Sequence, residues 1–308
     1  MENKDSGQKR VLVPVDGSDR ALNTIRFIAR FEPFTNMQVV LFHVFHKIPE
    51  SYWDLANEPM MVHGGVHIAA WEGHKKRTID NFMEKSVAML RASSFQQKNI
   101  ITKITNRKKG VARDIINEAG KGYSAVVTRR RGFTTVQGLL MGNVADKLMM
   151  SLESTPVFFA GNELPTGKIL IAMDNSLDVM KAVDFTADFA KGYDYSITLL
   201  HVIRQEDGFS HDDSDDQHSA PGQEIMAPVF DKACKKLEQA GFKPENIHHK
   251  IISGAGSRAG TIAEFAKKGD HNIIVLGRHG VSRVKEFFLG RVSKKVICAA
   301  ATKTVCIV

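Results

Sequence analysis

Cysteine is scarce in this chain: three residues in 308, Cys234, Cys298 and Cys306, all in the C-terminal half. Their spacing fits neither a disulfide framework nor a metal-binding set, so reduced thiols, buried or half-buried, are expected. No uninterrupted apolar run approaches the roughly 20 residues that a membrane-spanning helix needs, so no membrane contact is expected. No basic stretch followed by an apolar one opens the chain, so no secretory signal is expected and the protein reads as cytoplasmic. Nucleic-acid signatures are missing too: there is no helix-turn-helix, ribonucleoprotein motif or zinc spacing. The formal charge of +8 is spread along the chain, with Arg129-Arg130-Arg131 as a local exception. Such a balance also suits a protein that binds polyphosphate anions. Residues 254–260, Gly-Ala-Gly-Ser-Arg-Ala-Gly, lack the Gly-Lys-Ser/Thr ending of a P-loop and read as a strand-to-helix connection. The acidic segment 205–223 lacks the glycine and distal glutamate of a calcium loop and reads as solvated.

What the chain does have is a repeat. Residues 11–45 align without gaps to residues 169–203. In both copies an aspartate ends the first apolar run (Asp16, Asp174), a serine follows two residues on, and His-Val closes the second run (His43-Val44, His201-Val202). Further along, Gly132, Gly142, Val144 and Lys147 align with Gly280, Gly290, Val292 and Lys295. A period this long is domain duplication, not a solenoid. It divides the chain into residues 1–163 and 164–308, joined by the Pro- and Gly-containing stretch 161–167.

Each half alternates strand and helix. Apolar runs at 10–15 and 168–173 have the near-continuous hydrophobicity of strands buried on both faces. Helices are expected at 20–31, 74–92, 111–120 and 143–152, and again at 178–191, 224–240, 259–268 and 291–300. Further strands are expected at 38–45, 100–105, 124–128 and 156–160, and at 196–203, 248–252, 272–276 and 304–308. The fold class is therefore α/β: two similar doubly wound, Rossmann-like domains, each a five-stranded parallel sheet flanked by helices. Segments 46–73 and 205–223 are expected to be irregular. Tyr52, Trp53 and Trp71, in the first of them, are expected not to stay fully exposed: they cap a pocket, pack on the other domain or, most simply, cover their own core.

Chemistry concentrates after the fourth strand of each half. The second half reads Gly277-Arg278-His279-Gly280, nine residues, then Gly290-Arg291-Val292-Ser293. The first reads Arg129-Arg130-Arg131-Gly132, nine residues, then Gly142-Asn143. Glycine at a strand end lets a ligand approach the backbone. A later glycine opening a helix offers free N–H groups to a phosphate. Open α/β sheets bind ligands in this crevice, beyond the carboxyl ends of their strands. Plainer roles stand beside these: Asp16 and Asp174 suit the turn that starts the next helix. His43 and His201 suit satisfied core histidines.

On these motifs the chain resembles the universal stress protein family, as a tandem two-domain member. The resemblance covers nearly the whole chain. It implies that Asp16 and Asp174 sit beside an adenosine, and that Val44 and Val202 line the base pocket with Pro14 and Ala172. It implies that Gly132, Gly142 and Asn143 cradle phosphates in the first half, and Gly277, Gly280, Gly290 and Ser293 in the second. The implied ligand is an adenine nucleotide, ATP with Mg2+. Two departures stand out: Arg129 replaces the leading glycine, and Arg291 replaces a Ser, Thr or Asn. Either arginine can clamp a phosphate or fill its place. The expected role is that of a nucleotide-responsive sensor or regulator with protein partners. A scaffold with degenerate sites and a weak ATP hydrolase are the alternatives, although no nucleophile, base and metal set is evident. The apolar last strands are expected to pair the two halves as a pseudo-dimer, as in the resembled family, and leave a homodimer open.

Overall fold

The computed structural model describes residues 8–46, 64–130, 143–204, 220–279 and 290–308. In the first half the strands are β1 (Arg10–Pro14), β2 (Gln38–Phe45), β3 (Ile100–Asn106), β4 (Ala125–Arg129) and β5 (Val157–Ala160). Its helices are α1 (Leu22–Arg30), α2 (Gly64–Ala92), α3 (Val111–Ala119) and α4 (Asn143–Ser151). The second half repeats them as β6 (Lys168–Met173), β7 (Ser196–Arg204), β8 (Ile247–Ala255), β9 (Ile273–Leu276) and β10 (Thr304–Ile307). Its helices are α5 (Leu177–Ala190), α6 (Ala220–Gln239), α7 (Arg258–Lys268) and α8 (Arg291–Ala299).

Among the described residues all strands join one ten-stranded sheet in the order β3-β2-β1-β4-β5-β10-β9-β6-β7-β8. Within each half every pairing is parallel, which buries the central strands on both faces and explains their continuous apolar runs. The junction of the halves is antiparallel, with Phe158 opposite Cys306 and Val157 opposite Ile307. The sequence repeat is thus a pseudo-twofold in space.

Two apolar layers clothe the sheet, and both run through the junction. One holds Ile25 and Phe27 of α1, Phe82 of α2, Val183 of α5 and Phe230 of α6. The other holds Ile115 of α3, Leu148 of α4, Ile262 of α7 and Val296 of α8. At the centre of the first layer Phe31 stacks on Phe189 of the opposite half, ring centroids 5.7 Å apart, and Phe158 lies 5.5 Å from Phe189. Offset and edge-on rings of this kind add stability beyond the area they bury.

Two expectations need correction. Helix α2 begins at Gly64, not near residue 74, and α6 begins at Ala220 inside the segment read as irregular. Buried Ile79, Phe82, Met83 and Leu90 fix α2 against the sheet. Once a helix is nucleated, extension adds a bond per residue, which outweighs the roughly 1 kcal/mol that Gly73 costs. Trp71 is not covered by its core: it is 44% exposed, with the Lys75 ammonium 5.2 Å above its ring. Tyr52 and Trp53 lie outside the described residues. Among the described residues no helix is long and apolar enough to cross a membrane.

The stretch between the halves is tied down. Asn162 N–H donates to the Thr302 carbonyl (2.9 Å), Asn272 Nδ2 to the Leu164 carbonyl (2.7 Å) and Thr166 Oγ1 to the Asp270 carbonyl (2.7 Å). A Cβ on Gly161 would stand 2.1 Å from the Thr302 carbonyl oxygen, so only glycine fits there. Gly161→Ala should therefore lower the thermal unfolding midpoint by several degrees, whereas Gly256→Ala, which meets nothing within 4 Å, should leave it nearly unchanged.

His271 is buried, its Nε2 is 2.9 Å from Thr198 Oγ1, and its ring lies 5.6 Å from that of Phe265. Burial, with the charges of Lys168 and Lys303, pushes its pKa down to about 4. The unfolded chain takes up this proton near pH 6.5 while the native state refuses it. Stability from this group is present above pH 6.5 and is lost as pH falls towards 4. Unfolding midpoints measured across that window should decline less in His271→Gln than in the parent protein.

Candidate functional site

The carboxyl ends of the strands open on one edge of the sheet, and the two halves carry matching turns there. Asp174 follows β6, and its Oδ1 accepts from the Ser176 N–H at 3.0 Å. Asp16 follows β1, and its Oδ1 accepts from the Ser18 N–H at 3.0 Å and from Ser18 Oγ at 2.6 Å. Both aspartates thus organise the turn that starts the next helix. Below each turn a histidine ties two strand ends together: His43 Nδ1 lies 2.8 Å from the Val15 carbonyl and His201 Nδ1 lies 2.8 Å from the Met173 carbonyl. A carbonyl only accepts, so each ring nitrogen is the donor. Burial lowers the His43 pKa, partly offset by that carbonyl bond and by the charge of Asp16.

In the second half three separate segments converge. Ser176 Oγ donates to the His279 carbonyl at 3.3 Å, which joins the Asp174 turn to the segment after β9. The Gly290 N–H donates to the Arg278 carbonyl at 2.8 Å, and Ser293 Oγ donates to the Gly277 carbonyl at 2.9 Å. These bonds hold the start of α8 beside the end of β9. Gly290 is the N-cap of α8, so the first turn of that helix, Arg291 to Ser293, faces this crevice with its N–H groups.

Residue by residue, the expected site divides as follows. Asp174, Gly277, Gly290, Arg291 and Ser293 come together, although Ser293 is buried and its hydroxyl proton is engaged by Gly277. Asp16 is exposed at the end of β1, Arg129 is the last residue of β4, opposite Ala160, and Asn143 opens α4. Pro14 and Ala172 are half-buried at their strand ends. Val44 and Val202 are packed into the apolar layer beneath α3, α4, α7 and α8. Gly132, Gly142 and Gly280 lie outside the described residues.

Sequence reasoning missed two residues. Arg130, the middle of the three consecutive arginines, is only 7% exposed and crosses to the other half. Its guanidinium donates to the carbonyls of Ala300 (2.8 Å) and Lys303 (2.7 Å), just past the end of α8. Arg278, which occupies the equivalent position of the repeat, returns the contact to the carbonyls of Met149 and Leu152 at the end of α4. A cation at a helix C-terminus satisfies orphan carbonyls and opposes the negative end of the dipole. The signal was present in the alignment: of the three arginines, only Arg130 is an arginine in both copies.

Comparison with known proteins agrees with this fold. The model of the universal stress protein family matches residues 8–157 and 165–308. Universal stress protein Slr1230 of Synechocystis is 22% identical over 301 residues, which is 94% of this chain and 96% of its own. Universal stress protein YxiE of Bacillus subtilis is 30% identical over 142 residues, 42% of this chain and 90% of its own. The crystal structure of a universal stress protein from Archaeoglobus fulgidus has the same fold, with a TM-score of 0.64, 17% identity and coverage of 97% of each chain.

The arginine exchange should matter to stability. Removing a charged donor leaves two buried carbonyls without it, at a cost of about 1–3 kcal/mol, and a chain of this size loses about 2–4 °C per kcal/mol. Arg130→Met and Arg278→Met should each lower the melting temperature by several degrees, while Arg129→Met, at a half-exposed position, should not. Equal melting temperatures for all three by calorimetry would show that the exchange contributes nothing.

Proposed function

Because this chain belongs to the universal stress protein family, we propose that it is a stress-response regulator that takes an adenine nucleotide, ATP with Mg2+, in the crevice of its second half. The observation that carries this reading is the convergence of the Asp174 turn, the end of β9 and the start of α8, tied by Ser176, Gly290 and Ser293. Asp174 stands where it can meet a ribose, and the N–H groups of the first turn of α8 suit phosphate oxygens. Arg291 adds a cation at the same helix end. Among the described residues no group of three His, Cys, Asp or Glu side chains could hold a metal, so the Mg2+ would arrive with the phosphates. The three free cysteines suit the reducing cytoplasm.

The first half is the weaker candidate, because Arg129 replaces the glycine that lets phosphate approach the strand end. The reading is of a sensor: nucleotide occupancy would alter which protein partners are bound, with no chemical step. One observation favours a scaffold instead. The Gly290 N–H and the Ser293 hydroxyl, both expected to face phosphate, already donate within the loop.

Mass spectrometry of small molecules released on denaturation, followed by ATP titration calorimetry, separates the readings. Micromolar binding that is lost in Gly280→Trp and kept in Gly132→Trp is the expected result. No bound nucleotide and no heat at millimolar ATP would leave the scaffold reading. Phosphate release that disappears in Gly280→Trp would make the protein a hydrolase.

A further inference from the structure

The junction of the halves is a pseudo-twofold axis, and an axis brings equivalent positions face to face. In an isologous dimer such positions hold identical residues. Duplication within one chain lifts that restriction, and here the residues facing each other have diverged in complementary ways. Phe158 and Cys306 are equivalent in the repeat and are directly opposite in the β5–β10 pair. Both are fully or almost fully buried, in the same apolar layer. Opposite residues in an antiparallel pair have Cβ atoms only about 5 Å apart. One ring fits there among Phe27, Phe31, Phe34, Phe185 and Phe189, with centroid distances to Phe158 of 5.5 to 6.2 Å. Two rings would overfill that space, and two thiols would leave it underfilled.

The same relation holds between α4 and α8. Asp146 and Lys294 are equivalent in the repeat, and they form an ion pair across the axis at 3.2 Å. Pairing the first half with its own copy would set Asp146 against Asp146. Pairing the second half with its own copy would set Lys294 against Lys294. A third contact points the same way. Lys9 bonds Asp188 across the junction, and the residue equivalent to Asp188 in the first half is Arg30. A first half facing another first half would bring Lys9 to Arg30.

We propose that the pairing surface of each half is specific for the other kind of half and rejects its own kind. Its partner is a second half carrying a small residue at the strand centre and a cation on the facing helix, whereas a single-domain copy of the first half would meet a matching acid and a second phenyl ring. The two sites of the chain are thereby held as one of each kind. This inference does not depend on nucleotide binding.

Two mutant cycles in the full chain test it, read as thermal midpoints at low ionic strength. Asp146→Lys and Lys294→Asp each recreate a like-charge axis, and each should lower the midpoint by about 2 °C, in keeping with a half-exposed pair. The double reversal should recover to the parent value. Cys306→Phe should lower the midpoint by several degrees through overpacking and Phe158→Cys through a void. The double exchange keeps one ring and one thiol on the axis. Because Phe27 and Phe31 are matched by Phe185 and Phe189, the exchanged ring finds similar neighbours, and the double variant should be more stable than either single. Losses that simply add in both double variants would overturn the proposal. Recovery in the charge cycle, whose half-exposed positions keep every variant folded, would sustain it even if an overpacked variant fails to fold.

Discussion

The antiparallel pairing of β5 with β10 is the constraint on which the rest of this molecule rests. Each half alone is a five-stranded parallel sheet that ends in a four-residue strand, all apolar in the first half and apolar after Thr304 in the second. An open edge of that kind presents unpaired backbone groups and bare side chains, and it has to be covered. Covering it with the equivalent edge of the other half creates one sheet and makes both apolar layers continuous. It also brings the two arginines within reach of the helix ends they cap. The axial pairs Phe158–Cys306 and Asp146–Lys294 exist only because those strands meet in that register.

That junction also positions the candidate site. Helix α8 starts just after its N-cap Gly290, beside the end of β9, and finishes where Arg130 of the first half holds the carbonyls of Ala300 and Lys303. The helix whose first turn borders the crevice of the second half is therefore held at its far end by the first half. Arg278 does the reciprocal work on α4. A single domain of this type would leave both helix ends with their carbonyls unopposed.

Much of this was legible in the sequence because it depends on short-range pattern. Continuous apolar runs gave the buried strands, and the gapless match of 11–45 to 169–203 gave two like halves. For the strand-end aspartates and histidines the plainer structural role, which for the aspartates stands beside a nucleotide contact, is matched by the local bonds each makes. Less legible was everything decided by the other half. Nothing in Arg129-Arg130-Arg131 alone says which side chain turns inward, since the carbonyls that receive Arg130 lie 170 and 173 residues away. The starts of α2 and α6 were missed because glycine and polar residues read as breakers, while the buried residues downstream carry the helix through them. For the candidate site, the glycine spacing pointed to the end of β9 and the start of α8, where Gly277 and Gly290 lie. The serine bonds that tie it together follow no pattern and need coordinates.

The order of strands also has a meaning in time. Phe158 leaves the ribosome 148 residues before Cys306, its partner at the centre of the sheet. At about 5–20 residues per second, the first half waits roughly seven to thirty seconds with an apolar strand open on its edge. The strand that closes the sheet is the last of the ten in chain order. The nascent protein is thus most exposed to wrong pairing, with a neighbouring copy on the same message for instance, during the synthesis of its own second half. A surface that refuses its own kind protects the chain during that interval.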